Sequence, residues 1–362
     1  MSTPTTAQPF LYVTCPVGSE AVVRGGIPGH RPAFARPGTI TFKTELPVLP
    51  DGPRPHPLAR TWGVSLGVDP QLDALPDRLV LQVRPGEAGP PGKVPPSVDL
   101  AWAEDARNRA QVLADELGAR VTLDPPKVGD AVLVVIVRPD ERPIYGWHLH
   151  SADRGPLPGG RWPLSPPKDA PSRAWAKLEE LIAWSGSTPR PGERVLELGC
   201  APGGATVALL DRGLVVTGVD PQPMALPPRL ADAPFVHLRQ PIEAVERDRL
   251  PDEVEWIVGD ASVAAPVAVH ALLRLVKRYR PTLRGVLVTL KLNEWALVDR
   301  IPDLIEQLAA LGLEPRGGGA AHLPSFRQEV GVVLAAPAGA AFDRDERVTV
   351  RRPTRPRPAR SG

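Results

Sequence analysis

The chain has 362 residues, with 43 lysines and arginines against 41 aspartates and glutamates, so its formal net charge is only +2. With 42% hydrophobic and 23% charged residues, the composition is typical of a globular protein and excludes a disordered chain. No stretch approaches the roughly 18 apolar residues of a membrane-spanning helix, and two cysteines exclude a disulfide framework or a cysteine-rich zinc module. Because the N-terminus also lacks the basic and apolar regions of a secretory signal, we expect a cytoplasmic protein with no membrane partner.

The first 150 residues predict an α+β region. Short runs of alternating or β-branched apolar residues predict strands at 10–14, 39–43, 62–67, 79–83, 131–137 and 144–150. The segment 100–117 has helical periodicity and ends before Gly118, as a helix C-terminus often does. We expect two parts in this region, an α+β subdomain at 1–68 and a second domain at 69–150.

The pattern changes after residue 150. Residues 151–171 are rich in proline and glycine and predict an irregular linker. Strands at 194–198, 214–219, 254–258, 286–290 and 330–334 then alternate with helices at 172–184, 267–279, 301–311 and one ending at Arg212. This alternation predicts a Rossmann-like, doubly wound α/β sheet over residues 172–337.

The C-terminal segment 338–362 ends in RRPTRPRPARSG, which has five arginines and no acidic residue. Such a sequence cannot bury itself and predicts a disordered tail. Two interpretations stay open for it, a phosphate-seeking arm and a solubilising segment.

A glycine-rich turn between the first strand and the first following helix of the predicted sheet is the strongest local signal. Glycines let a ligand approach the backbone closely, and a helix N-terminus favours a carboxylate or phosphate. Asp220 ends the next strand, from which a carboxylate binds ribose hydroxyls. Since Ala201 breaks the dinucleotide fingerprint and no P-loop is present, S-adenosyl-L-methionine is the cofactor that fits. The predicted cofactor contacts are Gly199, Cys200, Ala201, Pro202, Gly203, Gly204 and Asp220.

Four ionisable residues lie at or near the edge where a doubly wound sheet binds its ligand. Asp260 and Lys291 end predicted strands, Glu329 begins the last strand, and Lys177 lies on the flank of a helix before the glycine turn. Each residue alone has a structural interpretation, as surface charge or, for Asp260, as a helix cap. Their combination is more informative than any one of them.

This combination resembles the FtsJ-type family of RNA ribose 2′-O-methyltransferases, which pairs a G-x-x-P-G-G turn with a Lys–Asp–Lys–Glu tetrad in this order. Its motifs S-R-x-x-x-K-L, x-L-K-L and R-x-E-V are matched at 172–178, 289–292 and 327–330. Residues 11–20 and 168–180 are similar to a branch that methylates a cytidine ribose in 23S rRNA. That likeness implies an α+β, THUMP-type N-terminal region, a THUMP-like RNA-binding domain at 69–150 and a methyltransferase domain at 172–337.

The resemblance also implies a reaction, methyl transfer from S-adenosylmethionine to a ribose 2′-hydroxyl of RNA, with a cytidine in 23S rRNA or its precursor as target. It makes Lys177, Asp260, Lys291 and Glu329 catalytic. Lys291 would be the base, Lys177 a flanking cation held by Glu329, and Asp260 would orient Lys291 and contact the cofactor. The alternative that Lys291 only positions the hydroxyl stays open. We expect no metal and no obligate protein partner.

RNA recognition is predicted less specifically. Candidate phosphate contacts are Arg24, Arg31, Arg36 and Arg60, together with the tail. Two other functions stay open, a small-molecule O-methyltransferase and a non-catalytic RNA-binding factor with a vestigial cofactor pocket. The long N-terminal region argues against the first, and the intact tetrad against the second.

Overall fold

Two β-sheets organise the chain. The structure, a computed structural model, describes residues 8–70, 72–87, 89, 96–139, 141–245, 248–260 and 263–337, so the predicted tail at 338–362 lies outside it. One sheet has eight strands and the other seven within these ranges. Over the same residues, no helix combines the length and apolar character that crossing a membrane requires.

The first sheet holds the N-terminal elements. In chain order they are β1 (Gln8–Thr14), α1 (Glu20–Gly25), β2 (His30–Arg36), β3 (Thr39–Val48), β4 (Thr61–Gly67), β5 (Leu79–Pro85), α2 (Pro96–Leu117), β6 (Val121–Thr122), β7 (Ala131–Arg138) and β8 (Glu141–Leu149). The strand order is β2-β3-β1-β4-β8-β7-β5-β6. Because buried β4 pairs with β8, the two parts that we expected at 1–68 and 69–150 share one continuous sheet.

The second sheet holds the elements after the proline-rich segment. They are α3 (Ala174–Ser185), β9 (Arg194–Leu198), α4 (Gly204–Asp211), β10 (Val215–Val219), β11 (Phe235–Leu238), β12 (Trp256–Gly259), α5 (Ala265–Tyr279), β13 (Gly285–Lys291), α6 (Ile301–Ala309), β14 (Glu314–Ala321) and β15 (Glu329–Ala335). The strand order is β11-β10-β9-β12-β13-β15-β14. This confirms the predicted Rossmann-like, doubly wound α/β sheet.

The strand directions place the site. Strands β9 to β13 run parallel, so their carboxyl ends meet at one edge, and the chain order reverses on either side of β9. Strand β15 runs antiparallel to β13, which pairs its first residue, Glu329, with Lys291 at the end of β13. Beneath this edge, Leu196, Ile257 and Val286 are completely buried and hold the strands in place.

Candidate active site

The glycine turn between β9 and α4 has a backbone that requires glycine. Gly199 has φ +75° and Gly203 has φ +120°, in the left-handed region that side chains disfavour. A Cβ atom on Gly203 would also lie 2.8 Å from Cδ2 of Leu226 and 3.1 Å from Cε of Met224. The turn therefore brings its backbone close to neighbouring segments, and its amides and the start of α4 supply donors suited to an anionic group.

Asp220 is joined to this turn by hydrogen bonds. Its Oδ2 accepts from the amide of Ala201 at 3.2 Å and its Oδ1 from the amide of Gln222 at 2.8 Å. The carboxylate predicted to contact ribose is thus fixed beside the turn predicted to contact the same cofactor.

Cys200 behaves differently from the other residues of the turn. Its side chain is 2% exposed, and a Cβ atom on Gly218 would lie only 2.7 Å from its Sγ. Burial raises the pKa of the Cys200 thiol. Only the backbone of Cys200 is therefore suited to contact a ligand.

The four predicted catalytic side chains lie together. Lys177 Nζ donates to Asp260 at 3.0 and 3.2 Å and lies 2.7 Å from Glu329 Oε1. Lys291 Nζ donates to Glu329 Oε2 and lies 4.0 Å from Asp260 Oδ1. Residues separated by up to about 150 positions in the chain thus form one ion-pair cluster, which we call the tetrad.

The pairing within the tetrad agrees with the expected one for Glu329 and Lys177 and differs for Asp260. Glu329 binds both lysines, one with each carboxylate oxygen, because its register places it directly opposite Lys291. Asp260 is nearer to Lys177 than to Lys291 and also accepts a hydrogen bond from the Thr289 hydroxyl. Asp260 therefore orients Lys177 most directly, whereas we expected it to orient Lys291.

The two lysines also differ in exposure. The side chain of Lys177 is 7% exposed and that of Lys291 25% exposed. Burial tends to raise the pKa of Glu329, but hydrogen bonds from Lys177 and Lys291 and their charges outweigh it and lower this pKa to about 2. Glu329 is thus an ionised anchor, and Lys291 is the more accessible of the two lysines.

Glu197, which the sequence analysis did not single out, lies on β9 just before the turn. It is 2% exposed, and its Oε2 accepts a hydrogen bond from Thr206 at 2.7 Å. Burial, reinforced by the charges of Asp260 and Asp220, raises the pKa of Glu197 to about 8. The sequence does contain a signal that could have identified Glu197, because it is an acidic residue inside the otherwise apolar run Val-Leu-Glu-Leu.

Two of the four candidate phosphate contacts are wrong. Arg60 and Arg36 have side chains only 9% and 11% exposed, and they pair with Glu87 and Glu141. Arg31 has an 85% exposed side chain and Arg24 is also exposed, so both are accessible. Among the residues that the structure describes, no group of three or more histidine, cysteine, aspartate or glutamate side chains could hold a metal ion.

Comparison with known proteins finds a family that matches part of this chain. Residues 170–314 match the model of the FtsJ-like methyltransferases. A protein of Halorhodospira halophila named Ribosomal RNA large subunit methyltransferase M is 34% identical over 202 residues, which cover 54% of this chain and 55% of that protein. Its namesake in Alkalilimnicola ehrlichii is 35% identical over 211 residues, 55% of each chain. The chain spans about half the length of the curated relatives it matches.

Solved structures are less similar to this chain than these relatives are. The fibrillarin pre-rRNA processing protein of Methanococcus jannaschii is 14% identical, with a TM-score of 0.34, over 58% of this chain and 84% of its own. The matched range contains the glycine turn, Lys177, Asp260 and Lys291, whereas Glu329 lies beyond it. This chain therefore contains an FtsJ-like methyltransferase domain at residues 170–314.

Proposed function

We propose that this chain transfers a methyl group from S-adenosylmethionine to a ribose 2′-hydroxyl of ribosomal RNA, with a cytidine of 23S rRNA as the target. The observation that carries the proposal is the tetrad of Lys177, Asp260, Lys291 and Glu329 beside the glycine turn. The printed name of the relatives supports ribosomal RNA as the substrate class. The family match supports methyl transfer.

The residues of the glycine turn fit the cofactor. At Gly203 the backbone of the turn packs against Met224 and Leu226 so closely that no side chain would fit. Asp220 is hydrogen-bonded to the same turn through the amide of Ala201. The start of α4 would hold the carboxylate of S-adenosylmethionine, and Asp220 its ribose. When bound, this cofactor supplies an electrophilic methyl group. Asp260, at the end of β12, would line the side of the cofactor that faces the tetrad.

Lys291 is the residue that we assign to the ribose hydroxyl. It is the more exposed lysine, and its ammonium or amine group is oriented by Glu329. Lys177 stays buried between Asp260 and Glu329 as a fixed positive charge. In the reaction, the neutral amine form of Lys291 would take the hydroxyl proton as the oxygen attacks the methyl carbon, and the carbon–sulfur bond would break to leave S-adenosylhomocysteine. Holding the oxygen in line is the second contribution of the same contact.

We infer that the eight-stranded sheet is the RNA-binding region, with the THUMP-like part at 69–150. Exposed Arg31 and Arg24 on this half of the chain support phosphate contacts.

The test is transfer of radiolabel from S-adenosylmethionine to 23S rRNA that lacks modifications. We expect label in RNA at a single position that resists alkaline cleavage, because a methylated 2′-oxygen cannot attack the adjacent phosphate. Lys291→Met should lower kcat by about 100-fold or more, since it removes a general base. Lys277→Met, at an exposed lysine of the same domain, is the matched control and should keep full activity.

Three outcomes separate the alternatives. Label in extracted metabolites but not in RNA would favour a small-molecule O-methyltransferase. Cofactor binding without label in any acceptor would favour an RNA-binding factor with a vestigial pocket. Equal activity of Lys291→Met and wild type would remove Lys291 from the mechanism.

A further inference from the structure

The loop between β14 and β15, residues 322–328, leads directly into Glu329. It is held by the eight-stranded sheet formed by the N-terminal elements, which we call the N-terminal sheet. The amide of His322 donates to the carbonyl of Pro57 at 2.7 Å. The Nε of Arg60, directly before β4, lies 3.2 Å from Nδ1 of His322. Arg60 is itself fixed, because its amide donates to Thr14 at 2.8 Å and its guanidinium to Glu87 at 3.0 Å.

These contacts define the state of His322. An arginine Nε can only donate, so Nδ1 of His322 must be the acceptor and the ring hydrogen must lie on Nε2. That Nε2 is 2.9 Å from the carbonyl of Arg327 and donates to it. Burial and the charge of Arg60 lower the pKa of His322 to about 3, so the ring stays neutral at neutral pH. His322 is a fixed connector with one accepting and one donating nitrogen.

Arg327 connects this histidine with the tetrad. Its carbonyl accepts from His322, and its amide lies 3.3 Å from Oε1 of Glu329, the oxygen that also binds Lys177. The carbonyl of Arg327 thus binds His322, and its amide binds the carboxylate of Glu329, which pairs with both lysines.

We propose that Arg60 and His322 are positioning residues, through which the N-terminal sheet sets the position of Glu329 and hence of Lys291. The catalytic consequence rests on the proposed function, but the mechanical connection does not. The loop has a second support, since Glu180 on α3 accepts from the amide and hydroxyl of Ser325 at 2.9 and 2.6 Å. Loss of Arg60 should therefore loosen the loop without releasing it.

Two measurements test the proposal on Arg60→Gln and His322→Phe. Hydrogen exchange of the full-length protein, followed by mass spectrometry, should become at least severalfold faster in peptides covering 322–329. The kcat of methyl transfer should fall by about 10- to 100-fold, because a displaced Lys291 no longer holds the hydroxyl in line. The KM for the cofactor should change little, because the cofactor turn is not altered.

Arg36→Gln is the matched control. The side chain of Arg36 is 11% exposed, close to the 9% of Arg60, and it also pairs with a glutamate, Glu141, at 2.9 Å. Both partners of this pair belong to strands of the eight-stranded sheet. The Arg36→Gln variant should leave both the hydrogen exchange of residues 322–329 and the kcat of methyl transfer unchanged. If Arg60→Gln does not fold, Arg60→Lys is the second variant, since it keeps the positive charge near Glu87 but lacks the Nε donor.

Unchanged exchange at 322–329 in the Arg60 and His322 variants, or an equal increase in Arg36→Gln, would overturn the proposal. If the wild type labels no RNA, the proposed function fails, while the exchange measurement still decides whether the N-terminal sheet holds this loop.

Discussion

At the scale of single residues, Glu197 is the most pH-sensitive group beside the site. Its pKa is about 8 in the folded protein against 4.5 for an ordinary glutamate, so its ionised form is unfavourable in the fold. The folded state then binds more protons than the unfolded state between these two values, and stability falls as pH rises through that window.

Glu197→Gln, which mimics the neutral acid and can still accept from Thr206, should remove this loss. We expect the variant and the wild type to have similar melting temperatures near pH 5. The variant should be more stable above pH 8, by a few kcal/mol at about 1.4 kcal/mol for each pKa unit. Scanning calorimetry from pH 5 to 9 measures this, with exposed Glu243→Gln as control. A constant difference between Glu197→Gln and wild type at all pH values would contradict the burial argument.

The residues of the tetrad and the pair of Glu329 with Lys177 could be predicted from sequence, but the contacts of Lys291 and Asp260 could not. Asp260 and Lys291 end apolar runs, and Glu329 begins one, so strand prediction alone places them at the edge of a sheet. Their partners depend on the antiparallel register between β13 and β15, which no local pattern encodes. The same holds for His322, whose partners lie on the N-terminal sheet.

At the scale of elements, the turn between β9 and α4 depends on its glycines, of which Gly203 combines a positive φ with close packing. Gly203→Ala adds a Cβ atom at φ +120°, 2.8 Å from Leu226. The strain of such a conformation costs about 1–3 kcal/mol, and the contact forces the turn to move. We expect at least tenfold weaker binding of S-adenosylmethionine by isothermal titration calorimetry.

Gly186→Ala separates strain from displacement of the turn. Gly186 follows α3 at φ +66° and a Cβ atom there would meet nothing within 4 Å. This variant should lose some stability but keep wild-type affinity for the cofactor. Equal affinity of Gly203→Ala and wild type would show that the turn does not bind the cofactor.

Most of the regular elements were predicted, and two of the strands that were missed, β2 and β14, share a physical reason. Strand β2 is an edge strand with mostly exposed residues and a proline, so it shows no apolar alternation. Strand β14 is interrupted by three glycines with positive φ, Gly317, Gly318 and Gly319, at a register irregularity. Both strands form because they pair with a neighbouring strand, and their own sequences lack the apolar pattern of a strand.

At the scale of the whole molecule, RNA affinity should depend on the charge of the C-terminal tail. The tail lies outside the described residues, and the five arginines of its last twelve residues exceed the net charge of the entire chain. Deleting residues 351–362 should weaken RNA binding and reduce the slope of log K against log salt by at most about 4.5, at roughly 0.7–0.9 per phosphate contact.

A full-length variant with these five arginines changed to glutamine separates charge from length. It should bind like the truncated chain if the arginines contact phosphates. Fluorescence anisotropy across a salt titration is the measurement, and identical curves for all three proteins would identify the tail as a solubilising segment.

The position of the last strand has a consequence for biosynthesis. Strand β15 fills the gap between β13 and β14, so β14 has no neighbour in the sheet until β15 is inserted. A nascent chain emerging from the ribosome thus completes its cofactor turn more than a hundred residues before Glu329 can reach either lysine. The tetrad therefore forms only when β15, the last strand of the described residues, has been translated and has paired with β13.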